Sequence, residues 1–97
     1  MTFIQTISFT TSRMDEMQTL MERWDQEQSG QAPGYRGIKI LQDRDTANAY
    51  LLIAEFENYE VAMENSNRPE TDAFAKEMGE LTDSGVTYGN YDVIAER

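Results

Sequence analysis

The hydrophobic positions of this chain follow two different periods, which separate predicted strands from predicted helices. Residues 48–56 are the clearest strand, because apolar side chains alternate onto both of its faces. One face carries Tyr50, Leu52, Ala54 and Phe56, and the opposite face carries Leu51 and Ile53. A strand that is apolar on both faces needs cover on both sides. The pattern therefore predicts a sheet with helices on one face and a further layer on the other.

The first half of the chain contains two more predicted strands and a helix. Residues 3–9 have the β-branched and aromatic content of a strand. Apolar residues then recur at helical spacing up to a predicted break at Ser29-Gly30, and they are Met14, Met17, Leu20, Met21 and Trp24. A turn at 31–34 leads into a predicted strand, Tyr35–Gln42. The polar stretch 43–47 joins this strand to residues 48–56 as a hairpin.

After residue 56 the period changes from two to about 3.6, which predicts helices. Asn58 is the predicted N-cap of the first of them, because an asparagine side chain can accept a hydrogen bond from the free backbone N–H groups of the first turn. Residues 65–69 interrupt the helical pattern. We expect Asn67 to cap the next helix together with Glu70, and Pro69 to lie in its first turn.

The order of these elements predicts the fold class. The helix after the interruption has an apolar stripe of Phe74, Met78 and Leu81, and residues 86–94 form a last strand. The order β-α-β-β-α-β is that of the ferredoxin-like α+β plan, in which a four-stranded antiparallel sheet carries its helices on one face. We expect residues 1–97 to form a single domain, and the free face of its sheet to pair with a second copy in a homodimer.

Composition favours self-association and limits the classes of partner. A chain of 97 residues buries only about 60 to 65% of its unfolded surface, and no cysteine is present to supply disulfides or thiolate ligands. A second copy is the remaining common means of enlarging the core. The net charge of −10 makes the protein acidic, so it repels nucleic-acid phosphates and anionic lipids. Because the chain lacks a basic, apolar leader and a long apolar run, we expect a cytoplasmic protein with no nucleic-acid or membrane partner.

Several segments in the second half of the chain resemble one superfamily. The runs 50–56, 57–63 and 65–67, together with Phe74, are similar to parts of the dimeric α+β barrel proteins, particularly the antibiotic-biosynthesis-monooxygenase-like branch. The resemblance implies a homodimer in which two sheets pack face to face as a barrel. Members of this superfamily include cofactor-free quinone-forming monooxygenases, haem-degrading monooxygenases and lactone isomerases. The resemblance therefore implies a fold and leaves several activities open.

The absence of histidine is the strongest limit on the chemistry of this chain. It removes the commonest general base, the commonest haem ligand and most transition-metal sites. Haem-degrading relatives carry a histidine a few residues beyond the position that Phe74 matches, where this chain has Glu77 and Met78. Met78 belongs to the apolar stripe, which favours packing over ligation. We therefore expect no metal, no cofactor and no histidine-ligated haem oxygenase.

Candidate pocket residues follow from the resemblance, because pockets in that superfamily lie between helices and sheet and use polar and aromatic side chains. The comparable side chains here are Trp24, Tyr35, Tyr59, Asn65, Asn67, Arg68 and Tyr88. Each has a structural alternative. Trp24 closes the stripe of the first helix as a core residue. The Asn65 to Arg68 group lies where one helix ends and another begins, and tyrosines are common cross-strand packing residues.

Three functions are compatible with these observations. The first is a homodimeric α+β barrel that binds a small apolar or aromatic molecule in a helix-sheet pocket. The second is a cofactor-independent monooxygenase acting on a phenolic or quinol substrate, since such a substrate can react with oxygen once it is deprotonated and kept from water. The third is a structural or interaction module without a ligand. An open cavity lined by Trp24, Tyr35 and Asn65 would favour binding or catalysis, whereas a cavity filled by methionines would favour the third.

Overall fold

A computed structural model describes residues 1–28 and 33–97 of the protein, which form four strands and three helices. In chain order the elements are β1 (Phe3–Thr10), α1 (Met14–Gln28), β2 (Tyr35–Gln42), β3 (Ala49–Phe56), α2 (Tyr59–Ser66), α3 (Pro69–Leu81) and β4 (Val86–Asp92). The order is the predicted one, and the last strand ends at residue 92 instead of 94. The predicted break at Ser29-Gly30 and the first two residues of the predicted turn at 31–34 lie outside the described residues.

The strands form one antiparallel sheet in the order β2-β3-β1-β4. β1 and β3 occupy the centre, and Ile7 on β1 lies opposite Leu52 on one side and Tyr88 on the other. β2 and β4 are the edge strands. This order confirms the predicted ferredoxin-like arrangement, in which the first and last strands lie side by side.

The register assigns each strand residue to one of two faces, because successive side chains point to opposite sides of a sheet. The inner face is buried against the helices and carries Phe3, Ile7, Phe9, Leu52, Ala54 and Phe56, each at most 6% exposed. The outer face carries Ile4, Thr6, Leu51 and Ile53, which are only partly buried. It also carries Leu41 and Tyr91, which are 42% and 58% exposed. Leu52 therefore faces the helices, and Leu51 faces away from them.

The helices complete the core through the predicted apolar stripes. On α1 the buried apolar residues are Met17, Leu20, Met21 and Trp24, and on α3 they are Phe74 and Met78. These side chains form one buried cluster with the inner face of the sheet. Since this cluster uses the inner face only, the apolar side chains of the outer face remain partly exposed in the single chain.

The junction between α2 and α3 differs from the sequence prediction in one cap. Asn58 caps α2 as predicted, since its Oδ1 accepts a hydrogen bond from the backbone N–H of Val61 at 2.9 Å. Asn67 is instead the C-cap of α2, and Arg68 is the N-cap of α3 without a side-chain hydrogen bond. The predicted Asn67 cap is wrong because Pro69 occupies the first turn of α3 and holds the preceding residue extended, with φ −77° and ψ 140°.

Hydrogen bonds near its two ends hold α3 against the rest of the molecule. At the C-terminal end the fully buried Thr11 hydroxyl donates to the backbone carbonyl of Leu81 at 2.5 Å. At the N-terminal end Arg68 Nη1 donates to Gln28 Oε1 at 3.1 Å. Both hydrogen bonds are long-range in sequence, and they join the two ends of α3 to residues that flank or end α1.

Candidate ligand-binding cavity

A cavity of about 220 Å³ lies between α3 and the inner face of the sheet. Its floor is formed by the strand residues Ile7, Leu52, Ala54 and Phe56. Its roof is formed by Phe74, Ala75 and Met78 of α3, and Trp24 of α1 closes one side. Polar side chains complete the lining, and they are Gln5, Asn65, Ser66, Thr71, Asp72 and Tyr88. A mostly apolar space with a few polar groups is the usual composition of a small-molecule site.

The cavity exists because α3 packs chiefly against α1 and because small residues face it. Among the helices, α3 contacts mainly α1 and, to a smaller extent, α2. Ala54 on the floor lies next to Gln5 on β1, and Ala75 is part of the roof. Two methyl side chains on opposite walls leave a space that leucines would close.

Two neighbouring aromatic rings constrain Trp24 in the cavity wall. It is 5% exposed, stacks on Phe74 with ring centroids 5.0 Å apart and an interplanar angle of 26°, and meets Tyr35 edge to face at 5.4 Å and 82°. Contacts with two rings restrict the rotation of the indole. Its Nε1 is buried and has no hydrogen-bond partner among the described residues.

Tyr35 supports Trp24 from outside the cavity. Its ring contacts those of Trp24 and Phe56, and its hydroxyl donates to Asp25 Oδ1 at 2.5 Å. Burial, with the hydrogen bond to the Asp25 carboxylate as a further cause, raises the pKa of the Tyr35 phenol well above its usual value. Tyr35 is therefore a protonated hydrogen-bond donor that fixes the position of the tryptophan.

A buried polar cluster lies at the end of the cavity near the α2–α3 junction. Asn65 is 5% exposed and lines the cavity, and Gln28 is fully buried. Arg68 Nη1 donates to Gln28 Oε1 at 3.1 Å and, at 3.4 Å, to Asn65 Oδ1. Arg68 also forms an ion pair with Glu70 at 3.3 Å. The guanidinium thus orients the Asn65 amide without being part of the cavity lining.

The structure brings three of the seven candidate residues together at the cavity. They are Trp24, Asn65 and Tyr88, of which Tyr88 is 51% exposed and lies at the margin. Tyr35 and Arg68 each contact one of these three without lining the cavity. Tyr59 is 48% exposed and packs edge to face against Phe3 at 5.3 Å. Asn67 is exposed at the C-terminus of α2.

Among residues 1–28 and 33–97, no group of three or more His, Cys, Asp or Glu side chains is placed to hold a metal ion. Within the same residues, no helix combines the length and the apolar character needed to cross a membrane.

Solved structures share the arrangement of strands and helices found here, although no family model and no curated protein matches the chain. SnoaB, a cofactor-independent oxygenase from Streptomyces nogalater, is similar with a TM-score of 0.81 at 18% identity, over 98% of this chain and 95% of that one. Rv0793 from Mycobacterium tuberculosis is similar with a TM-score of 0.79 at 13% identity, over 99% and 98% of the two chains. For a provisional antibiotic biosynthesis monooxygenase from Caulobacter crescentus, the TM-score is 0.82 at 8% identity, over 97% of this chain and 91% of that one. This chain has the antibiotic-biosynthesis-monooxygenase-like fold.

The likeness confirms, at the level of the fold, the resemblance seen in the second half of the sequence. Sequence reasoning missed two polar residues in or near the cavity of this antibiotic-biosynthesis-monooxygenase-like fold: Gln28, which accepts a hydrogen bond from Arg68, and Thr71, which lines the cavity. A signal for both was present in their spacing. Gln28 follows Trp24 by one helical turn, and Thr71 precedes Phe74 by three residues, so both lie on buried faces of their helices. A polar residue on an apolar stripe is informative because burying it unpaired is costly.

Proposed function

We propose that this protein binds a small, mostly apolar or aromatic molecule in the cavity between α3 and the sheet, and that it does so as a homodimer. The observation that carries the proposal is an open space of about 220 Å³ surrounded by buried apolar side chains. An apolar cavity of about 150 Å³ suffices for benzene in an engineered protein. The space here therefore suits a molecule of one or two fused rings.

The open cavity favours a ligand-binding protein over a structural module with a filled core. The methionines of α1 do not occupy it, since Met17 and Met21 are buried elsewhere in the core. Met78 contributes to the roof. Trp24 and Asn65 line the cavity, whereas Tyr35 acts on it through Trp24. This is the arrangement expected for binding, with one of the three expected wall residues moved to a supporting position.

The outer face of the sheet is the proposed homodimer interface. On this face Ile4 of β1 lies between Tyr91 of β4 and Glu55 of β3, and Ile53 of β3 lies between Thr6 of β1 and Lys39 of β2, so apolar side chains of the central strands alternate with polar and charged ones. The partly exposed apolar side chains would be stabilised by removal from water. A second copy that presents the same face would cover it and would give the two-layered barrel that the resemblance implies. Obligate interfaces of this type commonly bury about 2,000 Å² or more.

A second candidate function is a cofactor-independent monooxygenase acting on a phenolic or quinol substrate. The likeness to SnoaB, itself a cofactor-independent oxygenase, supports it. Such a reaction needs a deprotonated substrate that is shielded from water. The ionisable groups of the cavity lining are the Asp72 carboxylate and the Tyr88 phenol, both at exposed positions. Oxygen consumption with a naphthoquinol, compared between the wild type and Asp72→Asn, would test this candidate: the variant should lose activity if Asp72 takes the proton.

Filling the cavity tests the binding proposal directly. Ala75 is part of the roof, whereas Ala73 lies on the exposed side of the same helix. We expect naphthoquinone to quench the fluorescence of Trp24, the only tryptophan of the chain. Ala75→Leu should abolish this quenching because the added side chain occupies the ligand's space, and Ala73→Leu should leave it unchanged.

The control variant Ala73→Leu also distinguishes binding in the cavity from binding in a neighbouring groove. Ala73 lines a surface depression between α1 and α3 that Trp24 also reaches. Quenching that is lost in Ala73→Leu and retained in Ala75→Leu would place the quinone in that groove, and the cavity proposal would then fail. Circular dichroism of both variants should show the wild-type spectrum.

A further inference from the structure

The outer face of the sheet carries two charges of opposite sign, on Lys39 and Glu55. They are the charged side chains of this face among the paired strand residues, all of which the structure describes. Lys39 lies on the edge strand β2 opposite Ile53, and Glu55 lies on β3 between Ile4 and Gly37. Glu55 is partly buried, whereas Lys39 is exposed. The paired residues of this face therefore have no net charge, in a chain whose net charge is −10.

Neither of these charges has a partner within the described part of the chain. The ion pairs found there involve other residues, and no side-chain hydrogen bond reaches Lys39 or Glu55. Arg36, in the β-bulge before Gly37, donates from Nη1 to Thr2 Oγ1 at 2.9 Å instead. A carboxylate beside apolar side chains needs a cation once water is removed, because an unpaired buried charge is strongly destabilising. Covering this face therefore requires a cation at Glu55.

We propose that Lys39 of each subunit forms an ion pair with Glu55 of the partner subunit. This inference rests on the proposed homodimer and adds which residues recognise the second copy. In a two-fold interface each contact occurs twice, with the two roles exchanged. A two-fold axis that lies between the facing sheets and passes between Lys39 and Glu55 places each charge above its opposite. The face is thus self-complementary in charge, which is the property that pairing with a second copy needs.

The distribution of charge along the chain favours a second copy over an unrelated occupant. The helix α1 carries five acidic side chains and one basic side chain, so the helical side of the protein is acidic. Two copies that met through such surfaces would repel each other. The outer face is depleted in charge, as the centre of an interface between subunits usually is. A strongly basic partner would be attracted to the helices instead.

An ion pair within one chain is the alternative arrangement. Lys39 lies opposite Ile53, two residues before Glu55, so the two charged residues are diagonal neighbours on the face. Diagonal neighbours lie about 7 to 8 Å apart, within reach of long side chains. Lys39 and Glu55 do not form an ion pair in the single chain. The two arrangements predict different results when oppositely charged variants are mixed.

Mixing two charge-reversed variants tests the ion pair. Lys39→Glu leaves acids at both positions and Glu55→Lys leaves lysines at both, so each homodimer brings like charges together at two sites. We expect each variant alone to raise the dissociation constant of the dimer about tenfold or more. In a mixture the acids of one subunit meet the lysines of the other, so native mass spectrometry should show the mixed dimer well above its random proportion. A pair within one chain gives no such gain, because each chain still carries like charges at both positions.

Matched control variants come from the exposed side of α3. Lys76→Glu and Glu80→Lys change the net charge by the same amounts, and both residues lie on a helix that packs on the opposite side of the sheet. Their mixture should contain mixed dimers in the random proportion. A preference for mixed dimers as strong as that of the test mixture would show that net charge alone causes it, and the ion pair would be refuted.

Chemical cross-linking of the wild type gives a second measurement that does not depend on the folding of variants. The chain has two lysines, Lys39 and Lys76, and Lys76 Nζ lies 3.6 Å from Asp72 Oδ2. A water-soluble carbodiimide joins a carboxylate to an amine in contact with it. We expect a link between Lys39 and Glu55 in the covalent dimer, and a link between Lys76 and Asp72 within single chains. Lys39→Arg keeps the charge and lacks the amine, so it should lose the first link and remain dimeric.

The outcomes separate this inference from the proposed homodimer. A dimeric wild type whose charge-reversed variants show no preferential mixing would refute the ion pair and leave the homodimer standing. A link between Lys39 and Glu55 that is found only within single chains would lead to the same conclusion. A wild type that is monomeric at micromolar concentration would refute both the homodimer and the ion pair.

Discussion

Leu51 and Leu52 are adjacent leucines on opposite faces of the central strand β3, and they offer a direct test of the architecture. Leu52 is 2% exposed within the core beneath the helices. Leu51 is partly buried on the outer face, opposite Ser8 of β1 and Leu41 of β2. The same substitution at the two positions should therefore produce different failures, one of folding and one of assembly.

The expected magnitudes follow from burial. Leu52→Ala removes buried methyl groups from a packed site, which costs about 2 to 5 kcal/mol. That is a large part of the roughly 5 to 15 kcal/mol by which small domains are stable. Leu52→Lys should be worse, since it also places an unpaired charge among apolar side chains, and we expect it to unfold the protein. Leu51→Lys leaves the core intact and places a charge in the centre of the proposed dimer interface.

Two measurements distinguish these effects. Sedimentation velocity at micromolar concentration should show a dimer for the wild type and a folded or partly folded monomer for Leu51→Lys. Urea unfolding of Leu52→Ala should show a midpoint lower by about 1 to 3 M, given the usual dependence of small proteins on urea. Because the wild-type dimer couples assembly to folding, its midpoint should also rise with protein concentration.

Several results would refute the reasoning. A stable wild-type monomer at micromolar concentration would remove the need for cover on the outer face. A Leu51→Lys variant that remains dimeric with wild-type stability would show that the second copy binds elsewhere. A Leu52→Ala variant as stable as the wild type would show that the two faces have been assigned in the wrong order.

Two further predictions concern the cavity. Asn65→Ala should weaken naphthoquinone binding by about 1 to 2 kcal/mol, because the Asn65 amide borders the cavity. The melting temperature should change little, since this amide accepts only a long hydrogen bond from Arg68, at 3.4 Å. A lower melting temperature at unchanged affinity would assign Asn65 a structural role. The raised pKa of Tyr35 means that the folded state holds the phenol proton more tightly than the unfolded state. The contribution of Tyr35 to stability should thus be complete below about pH 10 and be lost as the pH rises further. Urea unfolding at a series of alkaline pH values should show the wild type losing its advantage over Tyr35→Phe, and a constant difference would contradict the assignment.

The candidate site was partly accessible from the sequence. Trp24 and Asn65 stand out as an aromatic residue on an apolar stripe and an amide at a helix junction, and both line the cavity. Tyr35 and Arg68 are near neighbours of these two and not wall residues, a distinction that depends on distances of a few ångströms between elements far apart in sequence. Thr71, which also lines the cavity, was not among the predicted pocket residues.

The sequence by itself determined the order of the elements, the alternation of faces along each strand and the limits on chemistry set by the absence of histidine. These properties are local, since a period of two or of about 3.6 is present in any short window of the chain. Only the tertiary structure decided that Leu52 and not Leu51 faces the helices, because both are leucines and the choice depends on which side the crossover helices pack. It also decided that a cavity remains under α3, because the small residues Ala54 and Ala75 line its floor and roof, and because Thr11 and Gln28, far away in the sequence, bind residues at the two ends of the helix. Periodicity identifies which side chains are buried, whereas the packing of distant elements decides how much space is left between them.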